Sequence, residues 1–294
     1  MTFFLALIVD GLLAGVLYAL TALGFVVVYK SARMINFALG EWVMVGALLV
    51  ATGLHALQLG LVGSIAAACA GMIGFAMAFN RLVLRRLLVG PLIALIMVTL
   101  GLGALMRGTS QMAFAGIPRA IALPVPDELL LVGGLRIAVD KLAAAAVAAI
   151  GVAIVALFYH RSRTGVALRA VADDRHAAMA SGIDVHRYVA ITWALAGVIC
   201  VMAGALWTSV TGGGFGMVLV GLKVFPIVII GGLDSIAGTI VGAMLVGALE
   251  SLAAGYLDPL LGAGFGSMAS YLVLIGMLFV RPYGLFGQPQ VERV

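Results

Sequence analysis

Nine apolar runs follow one another along this chain, at 3–29, 36–57, 59–79, 91–114, 138–159, 189–210, 217–233, 236–256 and 260–280. Most approach the roughly 20 residues that an α-helix needs to cross a bilayer. In hydrocarbon every backbone N–H and C=O must find its partner within the protein, so only helices and closed barrels can span. The strict in-out alternation of barrel strands is absent here. Of 294 residues, 64% are hydrophobic and 10% charged, whereas a soluble domain is about 25% charged. The expected fold is therefore all-α: one polytopic integral membrane domain over 1–294, with about eight or nine transmembrane helices. The 217–233 run is short and flanked by glycine, and it reads as a broken or re-entrant segment.

The net charge of +5 does not suggest nucleic acid, because the basic residues stand in short clusters at the ends of apolar runs. Arg81, Arg85 and Arg86 mark one loop; Arg161, Arg163, Arg169, Arg175 and Arg187 a second; Arg281 and Arg293 the tail. The positive-inside rule places all three in the cytoplasm, and nine crossings then put the N-terminus outside. The stretch 115–137 has mixed charge and three prolines, and it is expected to be an outside loop. The N-terminus carries no basic cluster before its apolar run, so it reads as a first span rather than a cleaved signal. Cys69 and Cys200 lie within apolar runs, where they act as small hydrophobes.

One polar knot interrupts the apolar pattern early, in "YKSARMINFALGEWVMVGALL" at 29–49. It can be laid beside "LDSIAGTIVGAMLVGAL" at 233–249, which aligns Asn36 with Asp234 and Gly40 with Gly238. Paired, glycine-interrupted segments in two halves of a membrane chain point to a translocation pathway. The loop count makes these two segments parallel, so either one is re-entrant or the repeat is not inverted. The plainer reading of the knot is a turn between helices, with Glu41 in a first helical turn where negative charge is favoured.

The densest charge lies in "YHRSRTGVALRAVADDRHAAMASGIDVHRYVAITWALAG" at 159–197. Thr164 is the expected N-cap of a helix over 166–180, Gly182 its stop, and a second helix is expected from Asp184. Small apolar positions alternate there with charges of both signs, a surface suited to a partner's groove.

No G-x-x-x-x-G-K-[ST], H-E-x-x-H or G-x-S-x-G pattern and no Cys/His cluster occurs, so neither nucleotide binding of the P-loop kind nor catalysis is expected. The glycine-rich 211–217 follows no strand and reads as a turn. Ionisable residues inside the runs, Asp10, Glu41, Arg107 and Glu250, are scattered. They form a poor proton path, which disfavours an ion-coupled carrier acting alone.

Five stretches, in order, resemble one family: the permease subunits of bacterial ABC importers for branched-chain amino acids, of the LivH type. They are 15–47, 91–105, 161–184, 221–251 and "FVRPYGLFG" at 279–287. Leu39 stands where the family's first block commonly has histidine. The resemblance implies a multi-pass protein of the bacterial inner membrane, with its C-terminus in the cytoplasm and no cofactor. It forms half of a pathway with a second permease of LivM type, or a second copy of itself. Two ATPase subunits and a periplasmic binding protein complete the importer. Pathway residues are expected at Asn36, Gly40, Glu41, Asp234, Ser235 and Gly238. ATPase coupling is expected at Arg169, Asp173, Asp174, Met179 and Gly182, within a cytoplasmic segment of about 160–188. Substrates of related permeases extend from branched-chain amino acids to urea, short amides and aromatic acids. The alternatives are a secondary transporter or a structural subunit of a membrane complex.

Overall fold

A computed structural model describes residues 2–87, 91–117, 119–126, 128–262 and 264–287, so Arg293 lies outside the described residues. Each apolar run forms a helix: α1 (Thr2–Ala32), α2 (Leu39–His55), α3 (Gly60–Phe79), then α4 (Arg85–Leu87) reached through a π-helical turn, and α5 (Leu92–Ala113). After α6 (Val139–Arg161) come α7 (Arg163–Asp173), α8 (Arg175–Ala180), α9 (Val185–Thr211), α10 (Val218–Gly231), α11 (Ile236–Tyr256), the single turn α12 (Asp258–Leu261) and α13 (Phe265–Val280). Among the described residues six helices are long and apolar enough to cross a membrane; α2, the helix ending at Gly231, and α13 are shorter apolar helices.

Two features differ from the sequence expectation. The 115–137 stretch is not all loop: β1 (Leu129–Val132) pairs antiparallel with β2 (Leu135–Ala138), Val132 facing Leu135. The turn between them is Gly133-Gly134, with φ of 59° and 84°, the left-handed pair that a two-residue hairpin requires. That Gly-Gly between Leu129–Val132 and Leu135–Ala138 was the signal. The charged segment is also divided differently. Ser162, not Thr164, is the N-cap of α7, its hydroxyl accepting from Gly165 N at 2.8 Å. The helix breaks at Asp174, which is extended (φ −151°) and whose Oδ1 accepts from Ala177 N at 3.1 Å. A side chain that satisfies the backbone of the next turn competes with helix continuation. Gly182 is left-handed at φ 80°. Asp184 caps α9, its Oδ1 accepting from Arg187 N at 3.2 Å, so the second helix is the start of the next span.

Contacts between helices fix their directions. Asp10, Gly151's neighbour Leu20, and Val27 along α1 meet Lys141, Gly151 and Tyr159 along α6, so these two run parallel. Gly11 and Gly15 face Gly247 and Ala243, so α11 is antiparallel to α1. Thr21 accepts from Trp207 Nε1 at 3.1 Å and Gly24 faces Ile199 and Cys200, so α9 is antiparallel to α1 as well. The bundle thus has a hairpin end, near Asp10 and Lys141, and a basic end, where α7 and α8 lie.

From the basic end of α1, residues 33–38 turn back into the bundle without helical structure, and α2 starts inside it. Leu39 packs on Gly24, eight residues or about 12 Å short of the end of α1. The return is covered by protein: Met34, Asn36 and Ala38 are at most 1% exposed. Its backbone is bonded by side chains, Asn36 Oδ1 accepting from Ala38 N at 3.1 Å and Thr99 Oγ1 from Phe37 N at 3.4 Å. Non-helical backbone inside a membrane is tolerated under that condition.

The same device recurs upside down. From the hairpin end of α9, residues 212–217 turn back through three glycines and a 3₁₀ turn, and α10 starts inside the bundle and runs to the basic end. The supporting helices follow the inversion. α3 packs on α9 as α11 packs on α1, and α5 packs on α2 as α13 packs on α10. Inverted repeats of this kind build many transporter folds. The partner of the 35–49 knot is therefore 212–231 rather than 233–249, and α2 and α11 do run in the same sense.

Candidate functional site at the meeting of two half-helices

The starts of α2 and α10 meet inside the bundle at two glycines. A Cβ on Gly221 would lie 2.3 Å from Gly40 Cα, and one on Gly40 would lie 2.5 Å from Val218 O. Only glycine at both positions allows the two backbones to touch. Beside this contact opens a cavity of about 470 Å³, lined by Phe37, Gly40, Glu41, Arg107, Val218 and Gly221 among others.

Glu41 and Arg107 form an ion pair at its wall. The carboxylate side chain is 6% exposed and the guanidinium side chain 51%. Arg107 is fifteen residues into α5, about 22 Å from its start, well inside the apolar helix. A charge at a helix centre costs about 2.5–3.5 kcal/mol in lipid on insertion scales; Arg107, six residues before the end of α5, would cost somewhat less, and such a charge is characteristically found against a partner or a water-filled cavity.

The six expected pathway residues fall in two places. Asn36, Gly40 and Glu41 are at the internal junction; Asn36 is buried, and its Nδ2 has no hydrogen-bond partner among the described residues. Asp234, Ser235 and Gly238 are at the basic end. Ser235 is the N-cap of α11, accepting from Gly238 N at 3.0 Å, and Gly238 packs against Gly231. The Asp234 carbonyl accepts from Lys30 Nζ at 2.8 Å. Asp234 and Ser235 border a second cleft, of about 300 Å³, whose other walls include Lys30, Arg33, Arg169 and Asp173.

Of the five expected coupling residues, Arg169 is turned inward, donating to the Tyr159 carbonyl at 2.6 Å and so capping the end of α6. Asp173 and Asp174 are exposed, and Met179 is 51% exposed on the outer surface with Val166. Gly182 forms the turn into α9. Arg33, the first residue of the return, donates to the Ala172 carbonyl at 3.1 Å and thereby ties α7 to the segment that leads to the cavity.

A third polar group was not foreseen. Lys223 of α10 pairs with Glu250 of α11, and Tyr18 OH donates to Glu250 Oε2 at 2.8 Å. Lys223 stands within an apolar run and 27 residues before its partner, a spacing that carries no local signal. With Asp10–Lys141 and Glu41–Arg107, each carboxylate noted inside the runs has a cation beside it. Among the described residues no group of three or more His, Cys, Asp or Glu is placed to hold a metal.

Comparison with known proteins gives the same picture from another side. The profile of the family described as "Branched-chain amino acid transport system / permease component" matches residues 7–281. The high-affinity branched-chain amino acid transport system permease protein BraD of Pseudomonas aeruginosa is 29% identical, over 99% of this chain and 98% of its own. The corresponding permease protein LivH of Salmonella typhimurium is 28% identical over the same shares. A probable LivH of Methanocaldococcus jannaschii is 32% identical over 45% of this chain and 43% of its own. No solved structure matches the chain. By its helical architecture, its paired helix breaks and a profile covering nearly its whole length, the chain belongs to the permease component family of branched-chain amino acid transport systems.

Proposed function

We propose that this permease forms half of the translocation pathway of an ATP-driven importer for branched-chain amino acids or related small polar solutes. The observation that carries the reading is Arg107: a guanidinium half-exposed at the protomer surface, inside an apolar helix and beside a buried carboxylate. That surface faces water or a second permease rather than lipid, because facing lipid would cost the insertion penalty with no compensation. The second permease is a chain of LivM type or another copy of this one. The junction of α2 and α10 then lies on the wall of the shared path.

In this reading the basic end is cytoplasmic, as is the C-terminal side of α13, and the membrane is the bacterial inner membrane. Two ATPase subunits, which carry out the hydrolysis, dock on α7 and α8, where Val166 and Met179 offer apolar anchors and Asp173 and Asp174 a charged rim. A substrate-loaded periplasmic binding protein docks at the hairpin end.

The test is made on the complex purified with its co-expressed partners and reconstituted in liposomes. Uptake must require ATP, the ATPases and the binding protein. Single cysteines at Leu100 and Leu222, which line the cavity, should react with a water-soluble thiosulfonate, while one at Ile154, 62% exposed on α6, should not. Uptake by the chain alone without ATP, or equal silence at all three cysteines, would overturn the reading.

A further inference from the structure

The ion pair at the cavity wall leaves half of each partner unused. Glu41 Oε1 accepts from Arg107 Nη2, and no other hydrogen bond of either side chain occurs among the described residues. Glu41 Oε2 and the remaining guanidinium N–H groups are therefore available beside one another, one anionic acceptor and one cationic fork. Apart from Gln111 and glycines the rest of the wall is apolar, from Phe37, Leu100, Ala104, Val218 and Leu222. At about 470 Å³ the space lies within the roughly 300–1,000 Å³ of small-molecule sites.

We infer that Glu41 and Arg107 form a zwitterion-reading site within the permease itself. The solute's carboxylate binds the free face of Arg107, its ammonium binds Glu41 Oε2, and its aliphatic side chain lies on the apolar wall. The inference deepens the importer reading and rests on it. The selectivity has a physical origin. A zwitterion brings no net charge and adds two opposite contacts to a pair that is already neutral. An acid or an amine of the same shape brings one unbalanced charge and leaves one member of the pair without its second partner, in surroundings where an uncompensated charge is costly. The permease thus checks head-group chemistry a second time, after whatever selection the binding protein makes.

The experiment uses the full complex in nanodiscs, without the binding protein, and saturation-transfer NMR with three probes. These are leucine, 4-methylpentanoate, which lacks the ammonium, and 3-methylbutylamine, which lacks the carboxylate. Leucine should show saturable binding at least tenfold tighter than either analogue, and Glu41→Gln and Arg107→Gln should each weaken it tenfold or more. Because those variants break the ion pair itself and uncover the buried Glu41, Leu222→Trp is measured as well. It fills the cavity with the pair intact, and it should abolish the leucine signal without changing the melting temperature. Equal binding of leucine and the amine, or leucine binding untouched by Leu222→Trp, would overturn the site. ATP-driven uptake by the same preparation with its binding protein separates the two claims. Uptake without a leucine signal sinks the site and leaves the importer; a leucine signal without uptake leaves the site and sinks the importer.

Discussion

Substitution of Gly221 by alanine tests the junction most directly. The added Cβ would sit 2.3 Å from Gly40 Cα and 2.5 Å from Gly40 N, short by about 1.1 Å of the 3.4 Å at which ordinary contact begins. The obstructing atoms are backbone, so no side chain can rotate away, and the starts of α2 and α10 must separate by about that distance. Overpacking of this kind costs about 1–3 kcal/mol. Taking about 2–4 °C of melting temperature per kcal/mol for a chain of this order of size, the expected fall is roughly 2–12 °C. The displaced atoms include Val218 and Gly40, which line the cavity, so uptake should fall more than stability alone would explain. The assay pairs thermal unfolding of the purified complex with initial uptake rates in proteoliposomes. Gly74→Ala is the control, since a Cβ there meets nothing within 4 Å. If Gly221→Ala matched Gly74→Ala in both measurements, the two half-helices would not meet as described.

Other perturbations give distinct outcomes. Lys223→Met should leave Glu250 without its cation and lower stability, by less than the roughly 3–5 kcal/mol of a fully buried pair because the two side chains are 21% and 15% exposed; Lys223→Met with Glu250→Leu should recover most of it, read from the same melting curves. Ser162→Ala removes the cap of α7 and should cost about 1 kcal/mol, seen as faster hydrogen exchange over 163–168 with the spans unchanged. Arg33→Ala removes the tie to Ala172 O and should lower solute moved per ATP hydrolysed, with basal hydrolysis retained. An unchanged ratio would mean that α7 acts on the pathway by another route.

The helices were legible because their signal is local: a run of about twenty apolar residues forms a spanning helix wherever it stands. The polar knot at Asn36–Glu41 was legible as an interruption for the same reason. Its partner was not. The 233–249 segment resembles the knot in sequence because Ser235 is an N-cap and small residues follow it, and helix starts share those features whatever their position in a fold. The true counterpart at 212–231 reaches the junction through Gly212-Gly213-Gly214, a different chemistry for the same return, and likeness of residues was lost while likeness of path was kept. The pairs Glu41–Arg107 and Lys223–Glu250 join residues 66 and 27 positions apart, and only the tertiary fold specifies them. At Asp174 a local rule was readable: an Asp whose carboxylate caps the following turn breaks the helix, but the unbroken apolar spacing around it suggested continuity.

The seam between Gly11–Gly15 on α1 and Ala243–Gly247 on α11 has a consequence for how the molecule is made. A ribosome adding about 5–20 residues each second finishes the second side of that seam roughly 12–47 s after the first. For that interval α1 is already in the membrane with its small-residue face unclaimed, and Tyr18 waits about as long for Glu250. Closure of that seam therefore waits for the last fifth of the chain, and a chain cut short before α11 leaves the Gly11–Gly15 face of its first helix without its mate.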